Sequence, residues 1–390
     1  MPDYRLDAEH EALRKTVEEF ARDAVAPVIG GYYERCEFPY DIVAQMGRMG
    51  LFGLPFPEEY GGMGGDYFAH CLALEELARV DSSVAITVEA AVSLGAMPIF
   101  RFGSQEQKQQ WLPPLCTGER LGAFGLTEPG GGSDVAGAMA TRARLEDGQW
   151  VINGTKAFIT NAGTDITSVV AVAAVTGEPR PRDESGHREI STILVPAGTA
   201  GFTVSKKYSK VGWSASDTRE LSFSDCAVPE ANLLGARGRG YAQFLATLDE
   251  GRIAIAALSA GLAQGCVDES VRYARERRAF GAPIGEHQAI AFKLADMEAR
   301  AHTARLAWYD AAYRMLGGER FKKQAAIAKL TASNAAMDNA RDATQIFGGY
   351  GFMNEFPVAR FYRDAKILEI GEGTSEVQRM LIARELGLRA

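Results

Sequence analysis

Five cysteines in 390 residues (Cys36, Cys71, Cys116, Cys226 and Cys266) are few, odd in number and without paired spacing. That excludes a cysteine metal knot and a disulfide framework, and it reads as buried thiols of a reducing cytoplasm. An excess of cations is missing too: 42 Lys and Arg stand against 50 Asp and Glu, a net charge of −8. A broad nucleic-acid surface needs the opposite sign, although a local basic pocket for a small anion remains compatible. No apolar run approaches the roughly 18 residues of a membrane span, and MPDYRLDAEHEALRK lacks a signal-peptide core. What is present, 46% hydrophobic and 24% charged residues, is the composition of a globular protein. The length suggests two or three domains at about 150 residues each, with core enough to need no disulfide or metal. The expectation is a cytoplasmic multi-domain protein with no metal site and no nucleic-acid or membrane partner.

The first third has helical spacing. Leu13, Val17, Phe20 and Ala24 fall on one face, and Pro27 is expected to close that helix. Asp41–Met49 and about Tyr67–Val80 read as further helices, and Ser104 with Gln107 has the spacing of a capping box. Near residue 121 the pattern changes to short β-rich runs at Ser168–Val175, Ser191–Pro196, Phe202–Lys207 and Glu220–Val228. Asn153-Gly154 between strand formers predicts a hairpin turn, and Gly177–Arg188 a surface loop. From about Gly235 helix returns, broken at Pro283 and Gly317-Gly318. The fold class is therefore α+β, with a helical domain at 1–122, a central β-barrel or sandwich at 123–234 and a helical bundle at 235–390.

Three glycine-rich segments separate on context. Gly235–Gly240 has GxxGxG spacing and no βαβ unit around it, which disfavours a Rossmann domain. Gly61–Gly65 reads as a turn between helices. Phe124–Asp134 (FGLTEPGGGSD) is either a domain-crossing loop or a segment whose backbone N–H groups can approach a planar or anionic ligand. Near the other end, Glu372 lies between Gly371 and Gly373, just before a helix start that Thr374 or Ser375 can cap. A carboxylate on such an uncrowded backbone can serve as a general base if a dry pocket raises its pKa; a plain helix-dipole partner is the other reading.

FGLTEPGGGSD at 124–134, AFITN at 157–161, RRAFG at 277–281, QIFGGYG at 345–351 and GEGTSEVQR at 371–379 occur in the order found in acyl-CoA dehydrogenases. EEYGGMGGD at 58–66 and LDEGR at 248–252 extend the resemblance to nearly the whole chain. It implies an N-terminal helical domain, a central β-barrel and a C-terminal four-helix domain. It also implies FAD and α,β-dehydrogenation of an acyl-CoA thioester, with Glu372 as the base. Some relatives carry that base in the LDEGR region, where this chain has Gly251. Phe124, Leu126, Thr127, Gly132, Ser133, Phe158, Ile159 and Thr160 are the implied flavin-lining residues, with Thr374 and Glu376 as further contacts. Arg277, Phe280, Gln288, Gln345, Gly348 and Gly349 are implied for the diphosphate and adenine, some across a subunit boundary. Ser133, Asp249, Arg252 and Gly373 are implied for substrate.

The resemblance further implies an electron-transferring flavoprotein as acceptor and a homo-oligomer, usually a tetramer. Absence of a long C-terminal extension favours a dehydrogenase over an oxidase that uses oxygen; a non-catalytic flavin-binding scaffold is the third reading. Gly371 stands where many straight-chain members have tyrosine. The Asp81–Pro98 segment, aligned with the pocket floor, has Ala85 where members acting on dicarboxylic acyl groups place arginine, and its charges are Asp81 and Glu89. A terminal carboxylate would lose hydration there without a partner, so the expected substrate is a short or branched neutral acyl group.

Overall fold

The computed structural model describes residues 4–177 and 188–388. Most of the expected Gly177–Arg188 loop lies outside the described residues. The N-terminal block contains α1 (Ala8–Phe20), α2 (Ala26–Arg35), α3 (Tyr40–Arg48), α4 (Tyr67–Ala78), α5 (Ser82–Glu89), α6 (Met97–Phe102) and α7 (Gln105–Cys116). Ser104 caps α7 through the expected box, its hydroxyl accepting from Gln107 N–H while the Gln107 side chain accepts from Ser104 N–H. Pro27 does not end the first helix. A π-helical stretch at Ala21–Val25 precedes α2, where Pro27 falls in the first turn; the widened turn accommodates the missing N–H and the ring. Cys36, at the left-handed end of α2, is exposed rather than buried.

Helices α4 and α5 are buried on every side, as expected of helices apolar all round. With the π-helical Ala90–Ala96 and α6, α5 forms an apolar helical stretch, Ser82–Phe102, of 21 residues and mean hydropathy 1.6. The chain therefore does contain one helical run long and apolar enough to span a membrane, but 89% of its apolar window is buried inside the fold. It is the floor on which the other two blocks rest.

The middle block contains β1 (Leu121–Gly125), the short α8 (Val135–Ala138), β2 (Arg142–Glu146), β3 (Gln149–Thr160), β4 (Thr167–Val175), β5 (Ile190–Pro196), β6 (Phe202–Val204), β7 (Thr218–Pro229) and β8 (Leu233–Leu234). The ladder runs β6-β7-β3-β2-β4-β5-β8, with β1 beside β4 in parallel. Val170, Val172 and Ala174 of β4 join Trp150, Ile152, Ile193, Val195, Leu221 and Phe223 in one apolar cluster, so the sheet wraps around its own core. Alternate residues Val169 and Ala171 pack into the helical core instead, which explains why β4 is apolar without alternation. The hairpin turn is not Asn153-Gly154 but Asp147-Gly148, which separates β2 from β3. Asn153 lies inside β3, exchanging hydrogen bonds with Asp225 (3.0 and 2.9 Å), and the β3–β7 register shifts there.

Helices α9 (Gly240–Glu276), α10 (Gln288–Leu316), α11 (Lys322–Phe347) and α12 (Pro357–Leu368) form the C-terminal bundle, with α13 (Ser375–Glu385) against α11. Asp364 of α12 ties the three blocks together. Its carboxylate accepts from Tyr33 hydroxyl (2.6 Å), Ser82 hydroxyl (2.8 Å) and the Trp213 backbone N–H (2.6 Å).

Candidate active site

The turn between α12 and α13 carries Glu372. Gly371 N–H bonds Ile367 carbonyl (2.7 Å) and Ser375 N–H bonds Glu369 carbonyl (2.9 Å), closing the turn from both ends. Thr374, not Ser375, caps α13, accepting from Val377 N–H at 3.3 Å. Gln378 does not complete a capping box; its amide donates to the Gly373 carbonyl at 2.8 Å. Glu372 adopts a left-handed backbone, φ 51, a conformation that a residue with a side chain holds only when its surroundings impose it.

That backbone sends the carboxyl against α9. A Cβ added at Gly251 would overlap Oε2 of Glu372 and stand 3.3 Å from its Cδ. The space of a side chain at 251 is therefore occupied by the Glu372 carboxyl, so one carboxylate location is served from either of two backbone positions. Glu372 is half-buried as a residue, with its Oε2 buried; burial of the carboxyl pushes it up to about 7, opposed by the neighbouring Glu89 and by the charges of Lys329 and Arg252. Glu89, at the end of α5, is fully buried and pushed well above the usual range by burial and by Glu372. Two neighbouring carboxyls out of water do not readily both ionise, and Glu89, fully buried and the more strongly raised, is the one that keeps its proton. The sequence reading missed Glu89's role; its signal was a lone acid within the apolar run VAITVEAAV.

The two implied flavin segments are brought together. Thr127 carbonyl accepts from Ala157 N–H at 2.8 Å. Lys156, fully buried, donates to Glu128 (2.7 Å) and to Leu126 carbonyl (3.2 Å), while Glu128 accepts from the N–H of Ala140 (2.6 Å) and Thr141 (3.0 Å). This buried pair fixes the path of the glycine loop, where Cβ atoms at Gly130 and Gly132 would meet open space. Phe158 (φ 62) is 65% exposed at a register shift in β3; Thr160 is half-buried and Ser133 exposed. Leu126 and Ile159 turn their side chains into apolar clusters, and Phe124 packs on Phe244 (4.3 Å between ring centres). At Leu126 and Ile159 only the backbone is left for a ligand. Asn161 donates to Thr87 carbonyl at 2.9 Å, joining the flavin segment to α5 two residues before Glu89. An open glycine loop beside an exposed aromatic, held by a buried brace, fits a planar cofactor.

Arg277, Gly348 and Gly349 line a cavity of about 540 Å³ with Tyr273, Phe347 and Tyr350. The Arg277 guanidinium stands 5.8 Å over the Tyr350 ring, and among the described residues no carboxylate forms an ion pair with it. Phe280 is 97% exposed at the tip of a small hairpin, Arg278–Ala279 with Ala282–Pro283. Gln288, Gln345 and Glu376 are exposed, and Thr374 is half-buried. Asp249 and Arg252 are buried and paired with each other, and Lys322 bonds Asp249 at 2.8 Å. Gly373 (φ 95) presents its carbonyl to Lys329 and Gln378. No group of residues able to hold a metal ion occurs among the described residues.

Family models for the N-terminal, middle and C-terminal domains of acyl-CoA dehydrogenase match residues 7–119, 123–226 and 238–387. A probable acyl-CoA dehydrogenase of Bacillus subtilis is 47% identical, across 98% of this chain and 99% of that protein. The mitochondrial short-chain specific acyl-CoA dehydrogenase of Rattus norvegicus is 45% identical, across 98% and 90%. Among solved structures, butyryl-CoA dehydrogenase from Megasphaera elsdenii superposes with a TM-score of 0.94 at 41% identity, covering 99% of this chain and 100% of that one. An acyl-CoA dehydrogenase complexed with FAD from Bacillus anthracis gives 0.91 at 34% identity, covering 99% and 68%.

Proposed function

The chain belongs to the acyl-CoA dehydrogenase family, and from that premise we propose that Glu372 removes the α-proton of a short or branched acyl-CoA thioester. FAD is the cofactor; when bound, it supplies the acceptor for the β-hydrogen, which leaves as hydride. The observation that carries the reading is the Glu372 carboxyl, its Oε2 buried and seated in the side-chain space of Gly251.

An α C–H beside a thioester is weakly acidic, so the base needs a high proton affinity and fixed placement. Burial provides the first, since a carboxylate of pKa about 7 takes a proton more readily than one in water. The left-handed turn provides the second. Among the described residues no acceptor takes the backbone N–H of Glu372, which leaves it available to a thioester oxygen on which negative charge develops. Thr127, Ser133 and Thr160 with the backbone of Leu126 and Ile159 are the groups left to hold the flavin ring. Arg277, with the exposed Phe280, Gln288, Gln345, Gly348 and Gly349, is the set proposed for diphosphate and adenine, a guanidinium being suited to paired bonds with phosphate.

The proposed chain length and shape of the substrate rest on the floor. Ala85 offers no cation, and neutral Glu89 closes beside the base, which supports a short neutral acyl group; Gly371 leaves room beside it for a branch. The short-chain specific relatives support the short chain. A homotetramer with cofactor sites shared between subunits is proposed with it, the Arg277 cavity taking the diphosphate and adenine end. Electron-transferring flavoprotein is the proposed acceptor. A panel of acyl-CoA thioesters varied in length and branching, scored by kcat/KM, tests the assignment; highest activity on a long straight chain would overturn it. Admitting air after anaerobic reduction by butyryl-CoA tests the acceptor, because rapid reoxidation with peroxide would mark an oxidase.

A further inference from the structure

Helix α11 is rich in alanine, and Lys329 sits within it with no solvent exposure. Its Nζ donates to the carbonyl of Gly373, the residue after the base, at 2.8 Å. Gln378 donates to the same carbonyl from α13, so two helices grip one peptide and hold the turn that places Glu372. Among the described residues no carboxylate forms an ion pair with Lys329. A buried ammonium without an ion-pair partner is costly, yet here it stands within electrostatic reach of Glu372.

Resting on the reading of Glu372 as base, we propose that Lys329 is a positioning residue for the reaction: its ammonium clamps the base-bearing turn through the Gly373 carbonyl and adds a buried positive charge near the Glu372 carboxylate, beside that of Arg252. The groups around this charge come from each packed element. Glu89 of α5 faces Glu372 as a neutral carboxyl, and Arg252 of α9, paired with Asp249, which also binds Lys322, is a second buried cation that lowers Glu372 and opposes the charge on Lys329. Glu369 and Glu376 flank the turn itself. Burial pushes Lys329 down to about 8, with Glu372 pulling it back up, so the side chain is protonated over the neutral range in which the base must be ionised.

The sign follows directly. A positive charge beside a carboxylate lowers its pKa, so removing that charge raises the pKa of Glu372 and moves the acid limb of the pH profile upward. Each unit of that movement costs roughly tenfold in rate below the limb.

The test uses the FAD-loaded enzyme, following anaerobic flavin reduction by butyryl-CoA as a function of pH. For Lys329→Met the acid limb is expected to move up by about one unit, with Lys329→Arg staying at the wild-type position. Lys329→Gln keeps a donor for the Gly373 carbonyl without the charge and is expected to move with Met, and it carries the test if Lys329→Met does not fold. A limb that stays at the wild-type position in Lys329→Gln overturns the proposal, leaving a purely structural hydrogen bond. Glu372→Gln is run in parallel. If it reduces flavin like wild type, the base assignment has failed; if it is inactive while the Lys329→Gln limb is unmoved, only the present proposal has failed.

Discussion

Replacing Gly251 by alanine tests the placement of the base without touching the base. On helix propensity alone, alanine in the interior of α9 would stabilise the protein by up to about 1 kcal/mol. The new Cβ, however, would overlap Oε2 of Glu372 and lie 3.3 Å from its Cδ. Ordinary carbon contacts begin at about 3.5 Å, so the carboxylate must retreat by about 1 Å to relieve the overlap. It cannot retreat freely, because its turn is fixed by Lys329, Gln378 and the closing bonds of Gly371 and Ser375. A misplacement of about 1 Å at a reacting group costs on the order of 10²-fold in rate. Stopped-flow flavin reduction by butyryl-CoA should therefore fall by about that factor in Gly251→Ala, while FAD content stays at the wild-type level. Wild-type flavin reduction in a folded Gly251→Ala enzyme would refute the geometry, since no catalytic carboxylate could then occupy that space.

Two further outcomes follow from the same site. The base acts only when ionised, so with Glu372 pushed up to about 7 by burial, kcat/KM should fall as pH drops through about 7 and level off above it; a profile flat from pH 5 to 8 would contradict this. Lys156→Met leaves Glu128 buried without its cation, a loss of about 3–5 kcal/mol in stability. Weakened FAD retention is expected with it, because the same pair fixes the Leu126 and Thr127 backbone; equilibrium unfolding and flavin release check both.

Much of the plan was legible because the chemistry sits in contiguous motifs. FGLTEPGGGSD, AFITN and GEGTSEVQR are each one short contiguous stretch, a strand or a turn with the end of its neighbouring element, so linear spacing carried their identity, and the helix–strand–helix order followed from the change of period near residue 121. What escaped depends on the third dimension. Glu89 is one acid in an apolar helix, and only packing reveals that it faces Glu372. Lys329 likewise is one lysine in an alanine-rich helix, with its partner carbonyl 44 residues away. Asn153-Gly154 has the composition of a hairpin turn, but its side-chain bonds to Asp225 keep the chain extended through a bulge. Pro27 failed as a stop because the π-helical turn before it relieves the clash that makes proline a helix breaker. The positive φ angles at Phe158, Phe280 and Glu372 fall on residues with side chains, whose identity does not mark a left-handed backbone.

The central claim is that Glu372 takes the α-proton. The most direct measurement is single-turnover flavin reduction by butyryl-CoA in anaerobic Glu372→Gln enzyme with FAD bound. Glutamine fills the same space and cannot accept the proton, so the account predicts a loss of about 10²–10⁴-fold at unchanged FAD content. Reduction at a rate near that of the wild type would contradict it and place the base elsewhere.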